Sequence, residues 1–286
     1  MLNRRDLLGG LAAVGCAAGL GSRDIVDTHI HLYEPERPQG VPWPPSTDAL
    51  LYKRHMPVDF RAAVQGLGVT RAIVVEASPW LEDNQWLLPL AEGESLIGGV
   101  VGHLEAGSAG FAAQLERFAK NPLFRGIRLG EKAIGEGVSK PAFVADLRRV
   151  TEAGLALDAI GGAGVLVSVA RLTDRIPQLR VIVDHLPFTS LGDPALAELR
   201  RRPQVYAKLS GSLTGSGFRM EAADEVWEVF GPKRVIYASN WPVSNRVASY
   251  TSVLKLMQRY VAEKGAGAAE AFFSGNSRLA YRWMER

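Results

Sequence analysis

An α/β fold, a single-domain (β/α)8 barrel, is what this sequence predicts, and three observations carry the prediction. Short apolar runs alternate with helix-like segments about eight times from Ile25 to the C-terminus. Such alternation reads as parallel strands wrapped in helices. Runs such as Ala72-Ile73-Val74-Val75 and Val181-Ile182-Val183 are apolar throughout, as strands buried on both faces must be. Polar residues with catalytic chemistry recur at the C-terminal ends of these runs, where a barrel builds its site. A length of 286 residues suits one barrel domain, taken as residues 23–286.

The first strand, 25–31, opens with Ile25 and Val26 and carries Asp27-Thr28-His29-Ile30-His31. Strict alternation along it puts Asp27, His29 and His31 on one face. Glu34 to Pro57 then holds six prolines, Pro35, Pro38, Pro42, Pro44, Pro45 and Pro57. Proline lacks a backbone donor and fixes φ, so this is a loop at the active-site end, with Trp43, Tyr52, Lys53 and His55 as candidate pocket residues. Further strands are predicted at 71–77, 97–103, 126–129, 156–160, 181–185, 205–209 and 235–239. Helices are predicted at 59–67, 84–92, 110–120, 141–153, 164–175, 194–202 and 221–230, with 249–263 and 267–283 closing the chain. Gly161-Gly162-Ala163-Gly164 reads as a tight turn into a helix. The alternative is an open doubly wound sheet, which usually carries a glycine-rich phosphate loop after an early strand; none follows the first strand here.

Charge and cysteine content narrow the function. With 33 basic and 30 acidic residues and a net charge of +3, the chain lacks a nucleic-acid footprint, so a small-molecule partner is expected. The triplet Arg200-Arg201-Arg202 reads as a solvated helix end. The single cysteine, Cys16, excludes an intramolecular disulfide framework and a thiolate-rich metal site. Residues 1–22 resemble an export leader: Arg4-Arg5-Asp6-Leu7-Leu8 is similar to a twin-arginine motif, and an apolar run follows from Leu7 to Leu20. A periplasmic or envelope location is implied, or a cytoplasmic one if the leader does not function. Ala13-Val14-Gly15-Cys16 loosely resembles a lipoprotein box, which would make Cys16 a membrane tether. The oligomeric state is left open.

Read at the strand ends, the candidates are His29 and His31, Glu76, His103, Arg128, Asp158, His185, Lys208 with Ser210, and Asn240. Four of the five histidines fall there, which favours a constructed site over scattered core histidines. Arg128 is suited to hold a carboxylate or polyol oxygens with its planar fork; the competing role is an ion pair with Glu76 or Asp158. Asp158 and Trp241 join it as candidate substrate contacts.

Together these motifs resemble the amidohydrolase superfamily, in the amidohydrolase 2 branch that includes sugar-lactone and related lactone hydrolases. The resemblance rests on Asp27-Thr28-His29-Ile30-His31, Ser78-Pro79-Trp80-Leu81-Glu82-Asp83-Asn84, Arg125-Gly126-Ile127-Arg128 and Val183-Asp184-His185-Leu186-Pro187. Lys208-Leu209-Ser210-Gly211, Ala238-Ser239-Asn240-Trp241-Pro242-Val243 and Gly275-Asn276-Ser277 complete it. It implies a TIM barrel in which His29, His31 and His185 surround a reacting carbonyl, with no cofactor or with one divalent metal such as zinc on those three histidines. The family places a water-activating aspartate where this chain has Asn240. An amide cannot accept a proton at neutral pH and is a poor, uncharged metal ligand, so His185 is the substitute base. The expected reaction is water attack on a small polar sugar- or acid-derived lactone. The alternatives are a metal-dependent decarboxylase of the same fold and a barrel that binds a sugar-like ligand without turnover.

Overall fold

Eight parallel strands pair in chain order, each beside its sequence neighbour. They are β1 (Ile25–Ile30), β2 (Val69–Val75), β3 (Ile97–Gly102), β4 (Phe124–Gly130), β5 (Ala156–Ile160), β6 (Val181–Val183), β7 (Val205–Lys208) and β8 (Val235–Ile236). The structure, a computed structural model, describes residues 24–285, so the leader expected over residues 1–22 and the tether expected at Cys16 lie outside the described residues. The chain beyond β8 closes the ring onto β1. Thr28 N donates to Tyr237 O at 3.1 Å, Asn240 N to His29 O at 3.0 Å and His31 N to Trp241 O at 2.8 Å. That ladder makes the sheet a barrel and excludes the open alternative.

Around it run α1 (Pro57–Val64), α2 (Leu81–Glu92), α3 (Phe111–Ala119), α4 (Glu131–Gly137), α5 (Pro141–Glu152) and α6 (Ala163–Arg175). They are followed by α7 (Pro194–Glu198), α8 (Met220–Phe230), α9 (Tyr250–Ala262), α10 (Ala266–Glu270) and α11 (Asn276–Tyr281). The helix expected over 267–283 is broken by a π-helical turn, Ala271–Gly275. Helix α4 was not expected, because its two glycines weaken local helix propensity. It is held from its first residue: Glu131 accepts the Gly162 N–H at 2.7 Å. That carboxylate sits in the Gly161–Gly164 turn, where an added Gly164 Cβ would lie 2.1 Å from Glu131 Oε1. The turn is thus filled by the protein's own anion.

The lumen is packed by Val26, Ile73, Val75, Val101, Ala156, Ile182, Tyr206 and Ile236, joined by Ala280, Tyr281 and Trp283 of the C-terminal segment. The C-terminus therefore plugs the end of the barrel at which the strands begin. The alternate residues, such as Ile25, Val74, Val100 and Val183, pack outward against the helices.

One irregularity sets the site. Asp27 pairs with Ala72 and Ile30 with Val74, so β1 spends three steps where β2 spends two. That extra residue is a β-bulge, and it reverses the alternation. Asp27 therefore does not share a face with His29 and His31, contrary to expectation. It points outward with Ala72, accepting from Ser239 N at 2.9 Å, His29 N at 3.2 Å and Tyr250 OH at 3.0 Å. Asp27 clamps the bulge to the chain after β8 and to α9. Asp27→Ala is expected to lower unfolding stability by about 2–4 kcal/mol, because it leaves two buried amides and a hydroxyl unpaired. Urea denaturation checks this, and an unchanged midpoint would remove the clamp from the account.

Candidate active site

The bulge turns His29 and His31 into the lumen at the C-terminal mouth, where their Nε2 atoms lie 3.2 Å apart. His31 Nδ1 is 2.9 Å from Val75 O. A carbonyl only accepts, so the neutral ring carries its proton on Nδ1 and a lone pair on Nε2. His29 Nδ1 stands 3.0 Å from Lys208 Nζ and 3.4 Å from Asp184 Oδ1. It can accept from the ammonium, which leaves a proton on Nε2 for His31. It can also donate toward Asp184, which leaves both Nε2 lone pairs facing one point. Two tautomers thus give two site states.

Lys208 is fully buried and lies against both Asp158 and Asp184, with Asp184 Oδ1 at 2.8 Å. Tyr281 OH donates to the Asp158 carboxylate, 2.8 and 2.9 Å from its two oxygens. The two acids part in proton affinity. Burial pushes Asp158 up to about 7 against the pull of Lys208. Burial also opposes charge on Asp184, but Lys208 and then His29 outweigh it and hold that carboxyl well below its usual range. Asp184 is the ionised partner.

His185 follows Asp184 with a left-handed backbone, φ 59°. That conformation breaks the strand's alternation, so consecutive residues both reach the site. The His185 ring lies 4.5 Å from that of His29, and its Nδ1 is 2.8 Å from Ser210 Oγ. Gly211 allows this approach, donating to Leu186 O at 3.0 Å, where a Cβ would lie 2.0 Å from His185 O. Burial lowers His31 to about 3 and His185 to about 4, and it takes His29 well below 6.5 with help from Lys208. All three rings are neutral at pH 7.

Arg128 projects inward from β4. Its Nε donates to Glu76 Oε1 at 2.8 Å and its Nη2 to Glu76 O, while Nη1 lies 3.9 Å from Asp184 Oδ2. The expected alternative of a Glu76 ion pair is therefore present, and Nη1 is the corner left for a ligand. Asn240 ends the β8 segment with φ 59° as well, a conformation asparagine tolerates better than most residues.

Two expected substrate contacts are corrected. Asp158 is fully buried with its carboxylate committed to Lys208 and Tyr281, so it holds the lysine and does not reach a ligand. Trp241 is buried against His55 and Phe60, with ring centroids 5.2 and 5.3 Å away. It is a wall between the barrel and α1. Of the proline-rich loop, Trp43 does reach the site, 5.6 Å from the His31 ring. His55 instead closes the loop's base with Tyr33 through paired main-chain bonds of 3.0 and 2.8 Å. Arg37 pins the loop to Asp83 at 2.7 Å, and Asp48 pairs with Arg246 on the other side. At the end of β3 the main chain of His103 is clipped by the Asn84 amide, with bonds of 2.8 and 2.9 Å. Residue reading marked Lys208 only as a strand end and missed Tyr281. The available signal was a lysine within Val205-Tyr206-Ala207-Lys208-Leu209, an otherwise apolar run that demands buried carboxylate partners.

The chain is similar to several known proteins. The amidohydrolase family model matches residues 26–283. An L-fucono-1,5-lactonase of Burkholderia ambifaria is 31% identical over 234 residues, covering 77% of this chain and 80% of that protein. An L-fucono-1,5-lactonase of Burkholderia multivorans is 24% identical over 287 residues, covering 91% and 96%. A crystal structure of an amidohydrolase from Burkholderia multivorans with bound zinc has a TM-score of 0.82 at 22% identity, covering 91% of this chain and all of that one.

The buried titrations set a pH dependence. Between about pH 5 and 6.5, His29, His31, His55 and His185 are largely neutral in the fold, whereas the unfolded chain protonates them near 6.5. Asp27, raised to about 6, and Asp158 act in the opposite sense by binding protons in the fold. The histidines outnumber the acids, so the unfolded state binds more protons and stability rises with pH across this window. Each excess proton contributes about 1.4 kcal/mol per pH unit. Urea midpoints at pH 5, 5.5 and 6.5 should increase in that order; a midpoint highest at pH 5 would mean that the histidines are charged in the fold.

Proposed function

Because the chain belongs to the amidohydrolase family, we propose that it opens the ring ester of a small polar lactone, of the sugar-acid class, by water attack at the barrel mouth. The observation that carries this reading is the convergence of three neutral imidazoles, His29, His31 and His185, beside Arg128. The relatives named L-fucono-1,5-lactonase support the sugar-acid class.

His185 takes the water's proton. With Nδ1 donating to Ser210 Oγ, its Nε2 lone pair is available to water beside the carbonyl. Asn240 cannot serve, since an amide does not accept a proton at neutral pH. Arg128 turns Nη1 toward ring or carboxylate oxygens, aimed by Glu76. A ring ester asks less of such a site than an amide does, because its leaving alkoxide is better than an amine anion and stays tethered.

A divalent ion fits the donor set. The Nε2 atoms of His29 and His31 meet at 3.2 Å, and His185 stands beside them with Asp184 close behind. The donor atoms of His29, Asp184 and His185 lie within 4.8 Å of one another and would hold the ion, with His31 beside them. A ring that holds the ion spends its lone pair there, so the base role of His185 belongs to the ion-free site. When bound, the ion supplies a Lewis acid next to the ring carbonyl. Asn240 adds no anionic ligand and Lys208 already answers the charge of Asp184, so the ion is held weakly.

His185→Ala is expected to reduce kcat by about 10²- to 10⁴-fold on a sugar-acid lactone, the usual cost of losing a general base. Asn240→Asp should change kcat by less than about tenfold, since the base is elsewhere. Undiminished turnover in His185→Ala would sink this mechanism, and binding of a lactone with no turnover by the native protein would make the barrel a binding module. Elemental analysis after purification without added ions should find less than one zinc per chain, all of it removed by chelator. One tightly held zinc that survives chelation would overturn the weak site.

A further inference from the structure

Beside the histidines, a cavity of about 150 Å³ lies between the chain after β7, the chain after β8 and α9. Ser210 and Asn240 form its inner side, and Ser210 is the residue that holds His185 Nδ1. Leu213, Val243, Val247 and Val253 supply an apolar wall. Arg246 stands at its rim, paired with Asp48 of the loop after β1.

Two buried polar atoms of this lining, Asn240 Oδ1 and Ser244 Oγ, have no hydrogen-bond partner among the described residues. Ser244 is only 8% exposed. Its main chain is already occupied: its N–H donates to Asn240 O at 2.9 Å, and its carbonyl accepts from Val247 N and Ala248 N at 2.9 Å each. Its hydroxyl is therefore the free group. The cost of burying such atoms unpaired is recovered when a ligand pairs them.

The chemistry of the pair selects the ligand group. An amide oxygen only accepts, and a serine hydroxyl both donates and accepts. A hydroxyl donates to Asn240 Oδ1 and can exchange either kind of bond with Ser244 Oγ, and it pairs with the amide whichever way that group is turned. A carboxylate or ketone can only accept, so it opposes Asn240 Oδ1 as the amide stands. We infer that this cavity is the subsite for a hydroxyl on an otherwise apolar edge of the substrate ring, with Asn240 and Ser244 as its specificity-determining residues. The inference rests on the lactone reading above, and it gives Asn240 a recognition role at the position where the family resemblance expects a base.

A site with buried polar groups discriminates strongly against an analogue that lacks the matching hydroxyl. The test compares a six-membered aldonolactone with unsubstituted δ-valerolactone, using the native chain, Ser244→Ala and Ser244→Val. The native enzyme should favour the hydroxylated ring in kcat/KM by about 100-fold or more. Ser244→Ala should shrink that ratio about tenfold, mostly through a higher KM for the hydroxylated ring. Ser244→Val, which fills the cavity with an apolar group, should shrink it further, with folding of both variants checked by circular dichroism. If the native chain opens both rings and neither variant moves the ratio, the subsite is wrong while the lactonase stands. If the native chain opens neither ring, both fall.

Discussion

A single buried ammonium, Lys208 Nζ, fixes the arrangement of the barrel mouth. It lies in a buried layer against Asp158, Asp184 and His29, and the Tyr281 ring approaches it at 5.5 Å. Without the lysine the two buried carboxylates would repel each other. Together they form a column that starts at the C-terminal plug with Tyr281 and rises through Asp158, Lys208 and His29 to His31 and Val75 O. The last helix of the chain thereby sets the orientation of histidines carried on the first strand. Such a column is poor evidence for net stability, since desolvation offsets much of its attraction. Its effect is to offer His29 Nδ1 both a donor, Lys208, and an acceptor, Asp184, and so to define the two tautomers open to the ring.

Regular strand geometry alone would not assemble this site. Alternation along β1 would put Asp27 with the histidines, and alternation along β6 would turn either Asp184 or His185 outward. The bulge in β1 and the left-handed backbone at His185 each break the period once. Asn240 repeats the His185 device on the chain after β8. Close backbone approach then demands glycine nearby: Gly211 lies under His185 O, and at Gly102 an added Cβ would sit 2.2 Å from Asn84 Oδ1.

The barrel was legible because its evidence is distributed: each buried strand must be apolar, and each apolar run marks one strand. The placement of His29, His31, His185 and Arg128 at one mouth of the barrel was legible for the related reason that polar residues at strand ends stand out. Asp27 was misread because a bulge leaves no mark in an apolar-polar pattern; it appears only when the partner strand's register is known. Asp158 and Trp241 were placed correctly at strand ends but given the wrong task, since position does not reveal that Tyr281, 123 residues away, or His55 and Phe60 already occupy them. Helix α4 was hidden for a similar reason, its glycines outweighed by a contact from Glu131 to a distant turn. The motif at Asn276 is structural, as its amide binds Pro232 O and Val235 O at 2.8 and 2.9 Å.

Asn240 sets the charge of the upper rim. A carboxylate in its place would add a negative charge near His29 and His185 and raise their proton affinity. The amide does neither. It leaves His29, His31 and His185 neutral at pH 7. It also presents an acceptor to the neighbouring cavity without a charge that would need its own counterion. Negative charge is instead concentrated on Asp184 beneath the histidines, where Lys208 answers it directly and Arg128 flanks it. The mouth thus keeps its fixed charges below the imidazoles and presents neutral groups and one arginine corner, a distribution that suits the polar, uncharged ester proposed above better than a polyanion.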